Sequence, residues 1–342
     1  MLQAFSFTGS LIPDIMEDVS GMFITEKEGR SVNELITVPT SGIIEVQPFG
    51  VGLITRWESF IDVAPKSKET YRKSVMQFIG YLYRNGINQP TRETVIEWRD
   101  SLKADHKPTS VQTYLTAVKL FFRWLEQEGI YKNIADHVKG VKVSTGHKKD
   151  YLTSKQSHKV LSSINTDTLK GLRDYAIVGL MLTTGVRTIE VTRANIADLR
   201  TVGDSTVLFV QGKGKDEKAD YVKLAPQVED AIRAYIAARG AKDKSEPLFT
   251  STSRNNYGKR MTTRSISAIA KNSMVEAGFN SDRLTAHSMR HTAGTLALLN
   301  GVTPREVQQI LRHSNINTTM IYAHELDRAK NNGELKVANA IF

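Results

Sequence analysis

The stretch Thr-Ala-His-Ser-Met-Arg-His-Thr-Ala-Gly, residues 285–294, decides how the second half of this chain is read. His287 and Arg290 stand three positions apart, so on a helix both side chains face the same side. His287 and His291 stand four apart, which is also the spacing of a zinc-binding helix. The Glu such a motif needs is absent, however, and Arg290 lies between the two rings. His291 therefore reads as a residue that packs or hydrogen-bonds within its own helix. Working outward, Thr-Thr-Gly-Val-Arg-Thr-Ile-Glu-Val, residues 183–191, sets Arg187 just beyond a strongly apolar helix over 169–182, with Glu190 one turn further on. Val-Gln-Gly-Lys-Gly-Lys, residues 210–215, places Lys213 between Gly212 and Gly214, a composition suited to a tight turn between strands over 206–210 and 219–224. It is not a nucleotide-binding loop, because the Gly-x-x-x-x-Gly-Lys-Ser/Thr spacing is missing. Downstream, Ile-Leu-Arg-His-Ser-Asn carries His313, and Tyr322 follows nine positions later in Met-Ile-Tyr-Ala-His.

In order, local context and spacing, Arg187, Lys213, His287, Arg290, His313 and Tyr322 resemble the active site of the tyrosine recombinases, the phage-integrase family. The resemblance covers roughly residues 50–325. It implies that Tyr322 is a nucleophile attacking a DNA phosphodiester, leaving a 3′-phosphotyrosine and a free 5′-hydroxyl. Arg187 and Arg290 would face the non-bridging oxygens, because a guanidinium offers planar paired donors and keeps its proton. Fixed donors at a developing oxyanion are commonly worth about 3 kcal/mol each. By the same resemblance Lys213 protonates the leaving 5′-oxygen, His287 assists the phosphate and the tyrosine proton, and His313 donates to the scissile phosphate. Glu190 matches a family acid that supports the site from behind. No cofactor is implied, metal or nucleotide, since the phosphotyrosine stores the bond energy for religation.

The composition agrees with a polyanionic partner. The 342 residues are 40% hydrophobic and 24% charged, with a net charge of +10. That charge is uneven. Residues 1–50 hold seven acidic residues against Lys27 and Arg30, a net of −5, so the remaining residues carry +15. There are no cysteines, which excludes disulfides and thiolate metal sites. No basic leader precedes an apolar core, and no apolar run is long enough for a membrane span, so a cytoplasmic location is expected.

Five segments follow along the chain. Residues 1–50 form an acidic segment of unknown role, a poor phosphate binder. Residues 51–140 are helical, with Trp57, Phe60 and Ile61 opening the pattern and a helix expected after Ser67 that Gly86 ends. Thr91 should cap another helix, one more should run from about Thr109 to Gln127, and a short one is expected near Asn133–Val138. This part resembles the family's core-binding domain, a DNA clamp. Lys66, Lys68, Arg72, Lys73, Lys107, Thr109, Ser110 and Thr113 are its candidate DNA contacts. Residues 141–150 form a basic linker, and Lys139 just before it together with Lys142, Lys148 and Lys149 suits a chain crossing the DNA backbone. Residues 151–325 are the catalytic domain, with a capping box at Thr153–Gln156 and further helices near 226–239, 262–277, 287–299, 304–311 and 315–322. Residues 326–342 form a tail whose Leu335, Val337, Ala338, Ile341 and Phe342 suit docking on a neighbouring protomer.

The expected fold is mainly α with a small antiparallel β-sheet in the catalytic domain, preceded by the helical core-binding domain. The expected function is a site-specific DNA recombinase. It would work as a homo-tetramer on two short inverted-repeat sites of double-stranded DNA and exchange strands through a Holliday junction, with accessory DNA-bending proteins as optional partners. Two alternatives stand beside it: type IB topoisomerase-like relaxation, which shares the chemistry, and a non-catalytic DNA-binding regulator on the same fold.

Overall fold

A helix that begins on a proline sets the register of the first unit. Pro65 occupies the first turn of its helix, where its missing N–H costs nothing and its fixed φ is already helical. The computed structural model describes residues 51–143, 150–212, 214–330 and 333–342. The acidic segment 1–50, Lys148, Lys149 and Lys213 lie outside the described residues. The chain divides into two units between Ser144 and Thr145.

The first unit contains α1 (Val51–Phe60), α2 (Pro65–Arg84), α3 (Arg92–Ser101) and α4 (Pro108–Gln127). Helix α2 starts two residues before the expected Ser67 because Pro65 opens it, and it stops at Gly86, whose φ is +61°. Thr91 caps α3, accepting from the Thr94 backbone N–H. Val75, Phe78, Ile79 and Leu82 of α2 pack against α4, where Val111, Leu115, Val118, Phe122 and Leu125 are buried. All three tryptophans are in this core, Trp57 edge-on to Phe121 at 5.3 Å and Trp98 edge-on to Phe78 at 5.0 Å. Such pairs add about 0.5–1.5 kcal/mol each beyond their burial. Phe60 departs from the expected pattern: it is exposed, with its ring 6.3 Å from Trp124. The short helix expected near Asn133–Val138 is a turn instead. Its first N–H goes to Glu126 Oε1, Ile134, Ala135 and Val138 turn into the core, and His137 adopts a left-handed φ of +50°. Six residues with those constraints cannot propagate a helix.

The second unit holds α5 (Ser154–Ser162), α6 (Leu169–Thr184), α7 (Thr188–Arg193), a three-stranded sheet, and α8 to α13. The strands β1 (Leu199–Val202), β2 (Ser205–Val210) and β3 (Asp220–Lys223) are antiparallel in that order, with Leu199 opposite Leu208 and Leu208 opposite Val222. The helices are α8 (Pro226–Arg239), α9 (Thr263–Glu276), α10 (Ala286–Leu299), α11 (Pro304–Leu311), α12 (Ile316–Lys330) and α13 (Gly333–Ile341). Helix α6 is the axis of the unit. It is buried from Ala176 to Leu182, as a helix apolar on all sides must be, and contacts α8, α9 and α10. Helix α12 does not end at Tyr322 as the sequence reading expects; no glycine or proline interrupts the chain before Lys330. None of α13 is buried, and Leu335, Val337 and Ile341 are exposed. Among the described residues, no helix is long and apolar enough to cross a membrane.

Candidate active site

Where α6 ends, the backbone turns through Gly185 at φ +61°, and a Cβ there would lie 2.4 Å from Leu311 Cδ2. Only glycine satisfies both conditions, and the turn delivers Arg187 to the N-cap of α7. Glu190, 1% exposed, folds back from the first turn of α7. Its Oε2 accepts the Arg187 backbone N–H at 2.8 Å, and its Oε1 accepts Arg187 Nη1 at 2.9 Å. A buried carboxylate needs such partners to remain charged.

Arg290, 2% exposed, ties α10 to this turn. Its Nη1 donates to the Gly185 carbonyl at 2.5 Å and its Nη2 donates to the Leu311 carbonyl. Arg187, His287 and Arg290 line one cleft of 770 Å³, which Arg264 and Lys271 of α9 also border. Burial first, then the Arg187 and Arg312 guanidiniums, lower the Arg290 pKa to about 9, which leaves it charged at neutral pH.

His313 follows α11. Burial, and then the charges of Arg290, Arg187, His287 and Arg312, lower its pKa to about 4, so its ring is neutral near pH 7. Its Nδ1 lies 2.8 Å from Thr319 Oγ1. With the threonine hydroxyl donating to Nδ1, the ring presents Nε2–H as a donor. Tyr322 is 1% exposed and packs with Ala293, Val307 and Leu311 rather than lining the cleft. Its ring centroid is 4.5 Å from that of His291 and 6.2 Å from that of His313. Gly294 makes room for it, since a Cβ there would stand 3.3 Å from the tyrosine ring.

The second unit thus brings Arg187, Glu190, Arg290, His313 and Tyr322 together, with His287 on the same cleft. Lys213 is outside the described residues, but Gly212 sits close to the carboxylate: a Cβ built there would be 4.0 Å from Glu190 Oε1. The nearby Lys215 is paired with Asp220 at 2.6 Å. His291, as the sequence reading expects, bonds within its helix, Nδ1 to Thr295 Oγ1 at 2.9 Å. Four residues the sequence reading did not single out belong to the surroundings: Arg264, Lys271, Thr319 and Arg312. The first two had no signal beyond charge. Arg312 had one, since α11 ends without the Gly or Asn that usually takes a left-handed cap.

The candidate DNA contacts of the first unit have partners of their own. Lys66 and Lys73 both bind Glu69, at 2.7 and 2.8 Å, Lys68 donates to the Glu58 carbonyl at 3.0 Å, and Arg72 stands 3.6 Å from the Glu58 carboxylate. Lys107, Thr109, Lys139 and Lys142 are exposed, while Ser110 and Thr113 are half-buried.

Comparisons with known proteins agree across both units. Residues 150–329 match the model of the Phage integrase family, and residues 59–129 match that of the Phage integrase, N-terminal SAM-like domain. The chain is 30% identical over 277 residues to tyrosine recombinase slr0733 of Synechocystis sp., covering 76% of this chain and 86% of that protein. It is 30% identical to tyrosine recombinase XerD of Lacticaseibacillus casei, covering 80% of this chain and 94% of that protein. The fold is similar to that of XerH site-specific recombinase, with a TM-score of 0.65 at 20% identity over 77% of this chain and 78% of the other.

Proposed function

This chain belongs to the phage integrase family, the DNA breaking-and-rejoining tyrosine recombinases, and on that premise we propose that Tyr322 is the nucleophile of its site-specific strand exchange. The observation that carries the assignment is that Arg290 is tied to the Gly185 turn that delivers Arg187, while the His313 ring stands 6.2 Å from that of Tyr322. Tyr322 Oη attacks the phosphorus, the P–O5′ bond breaks, and the 3′-phosphate stays on the tyrosine. Arg187 and Arg290 donate to the non-bridging oxygens as their charge grows, and His313 adds a neutral N–H. His287 assists the phosphate and the tyrosine proton. Lys213 supplies the proton for the leaving 5′-oxygen. Religation is the same path reversed, with the 5′-hydroxyl attacking. Glu190 keeps Arg187 in place.

Residues 51–140 serve as a clamp on double-stranded DNA, with Lys66, Lys68, Arg72, Lys73, Lys107, Thr109, Ser110 and Thr113 toward phosphates. Lys142, Lys148 and Lys149 lie along a basic linker, residues 141–150, with Lys139 just before it, and the catalytic domain occupies 151–325. The active species is a cytoplasmic homo-tetramer joining two inverted-repeat sites through a Holliday junction. Tyr322→Phe tests the core of this reading. A nicked suicide duplex, recovered from a random-sequence pool by selection with the wild-type chain, should form a covalent adduct on a denaturing gel with wild type and none with the variant, while both bind it equally. An adduct in Tyr322→Phe would remove Tyr322 from the role. For Lys213→Ala, cleavage should slow by roughly 10²–10⁴-fold, and a 5′-bridging sulfur should restore much of the rate, since a thiolate leaves without a proton.

A further inference from the structure

We propose that Arg312 is a positioning residue of this site: it grips the same Glu190 carboxylate that holds Arg187 and so fixes the Arg187 turn to the His313 loop. The inference rests on the assignment of Arg187 and His313 to the scissile phosphate. Arg312 caps α11 in the left-handed conformation, φ +53°, ψ +49°, a region that side-chain-bearing residues seldom enter. Its Nη2 donates to Glu190 Oε2 at 2.7 Å, with the arginine side chain 10% and the glutamate 1% exposed. Its own carbonyl accepts Arg187 Nη2 at 3.4 Å. Arg312 Nε is buried with no acceptor among the described residues.

An unfavourable backbone conformation and an orphaned donor in one residue persist only where the surroundings hold them in place. Here the side chain is held locally by Nη1 donating to the Ile310 carbonyl at 2.7 Å and, across 122 residues of sequence, by the ion pair with Glu190. The geometry explains what that pair does. Glu190 alone would be one carboxylate between a flexible Arg187 and a buried wall. With Arg312 on Oε2, its other oxygen is aimed at Arg187 Nη1, and the Arg187 guanidinium is held at both ends by the same pair of residues. The next residue after Arg312 is His313, so the same grip sets the start of the histidine loop. Arg312 does not line the cleft that Arg187, His287 and Arg290 share, and its part is to hold other groups rather than to touch the phosphate.

Arg312→Gly tests this cleanly, because glycine favours the left-handed backbone and removes only the side chain. The variant loses a buried ion pair, so a lower melting temperature is expected, but it should remain folded and bind the selected suicide duplex equally. Its single-turnover cleavage should be about 10- to 100-fold slower, the scale of a misplaced catalytic group. In a double-mutant cycle with Glu190→Ala, which removes the acceptor, adding Arg312→Gly should cost nothing further, because the contact is already gone. Wild-type cleavage rates in Arg312→Gly would overturn the proposal, as would a loss fully explained by weaker duplex binding or a fully additive cycle. If Arg312→Gly does not fold, Arg312→Asn, which also tolerates this backbone, is read the same way. If the wild-type chain itself forms no adduct, the assignment of the site fails on its own. The crystal structure of Arg312→Gly then decides the proposal: Arg187 displaced supports it, and Arg187 unmoved overturns it.

Discussion

At the scale of single residues, the site depends on one carbon that is absent. A side chain at Gly185 would meet Leu311 at 2.4 Å in a backbone region at φ +61°. Gly185→Ala combines a left-handed penalty with overpacking and should destabilise the protein by about 2–4 kcal/mol, read as a lower midpoint in urea. A change near zero would mean that Leu311 yields without cost. His313 gives a pH dependence with a definite sign. Its folded pKa, about 4, lies below the ordinary 6.5. As pH falls through that window the unfolded chain takes up the proton before the folded one, so stability is present above the unfolded value and is lost toward the folded one. Urea midpoints measured between those two values should fall with acid in wild type and fall less steeply in His313→Asn; parallel curves would acquit His313. The candidate residues Arg187, His287, Arg290, His313 and Tyr322 could be picked out because each sits in a motif of fixed order. Arg312 was marked only by the missing Gly or Asn at the end of its helix, and its role could not be read until its φ and its partner were known. The burial of Tyr322 was not legible either, since it depends on Gly294 leaving space from another helix.

At the scale of elements, caps and apolar stripes carried most of the reading. Thr91 and Thr153 both accept from the N3 backbone N–H, as their spacing foretold. The misses have physical causes. Strand β1 has four residues, three of them exposed, so it shows no alternation to detect. Helix α12 overran its expected end because Tyr322 was read as the edge of a motif, whereas the residues after it keep on favouring a helix. Helix α11 matters most to the site, since it places Val307 and Leu311 against Tyr322 and ends on Arg312. Its start is a reciprocal box: Glu306 N–H to Thr303 Oγ1 at 3.3 Å, and Thr303 N–H to Glu306 Oε2 at 2.9 Å. Thr303→Ala should cost about 1 kcal/mol of stability, and Thr303→Ser should recover most of it. Equal melting of the alanine variant and wild type would show that the box adds nothing there.

At the scale of the whole molecule, charge and exposed apolar surface point to opposite roles for the two ends. The acidic residues 1–50 carry −5 and the remainder +15, so removing 1–50 should leave duplex affinity unchanged or slightly higher. A large loss of affinity would show that this segment grips DNA despite its charge. The other end is apolar. In α13, Leu335 is 63%, Val337 59% and Ile341 70% exposed, and Phe342 beside them is fully exposed. Val337 and Ile341 stand four apart on one face of the helix, and a face of that kind is covered when it meets another surface. In the proposed tetramer, a neighbouring protomer would supply one. Deletion of residues 333–342 removes that face and leaves every proposed catalytic residue in place. Cleavage of a single suicide site should then proceed close to the wild-type rate, while pairing of two sites and recombination between them should weaken sharply. Normal recombination by the deleted chain would sink the docking role, and loss of single-site cleavage would assign α13 to the integrity of its own unit instead.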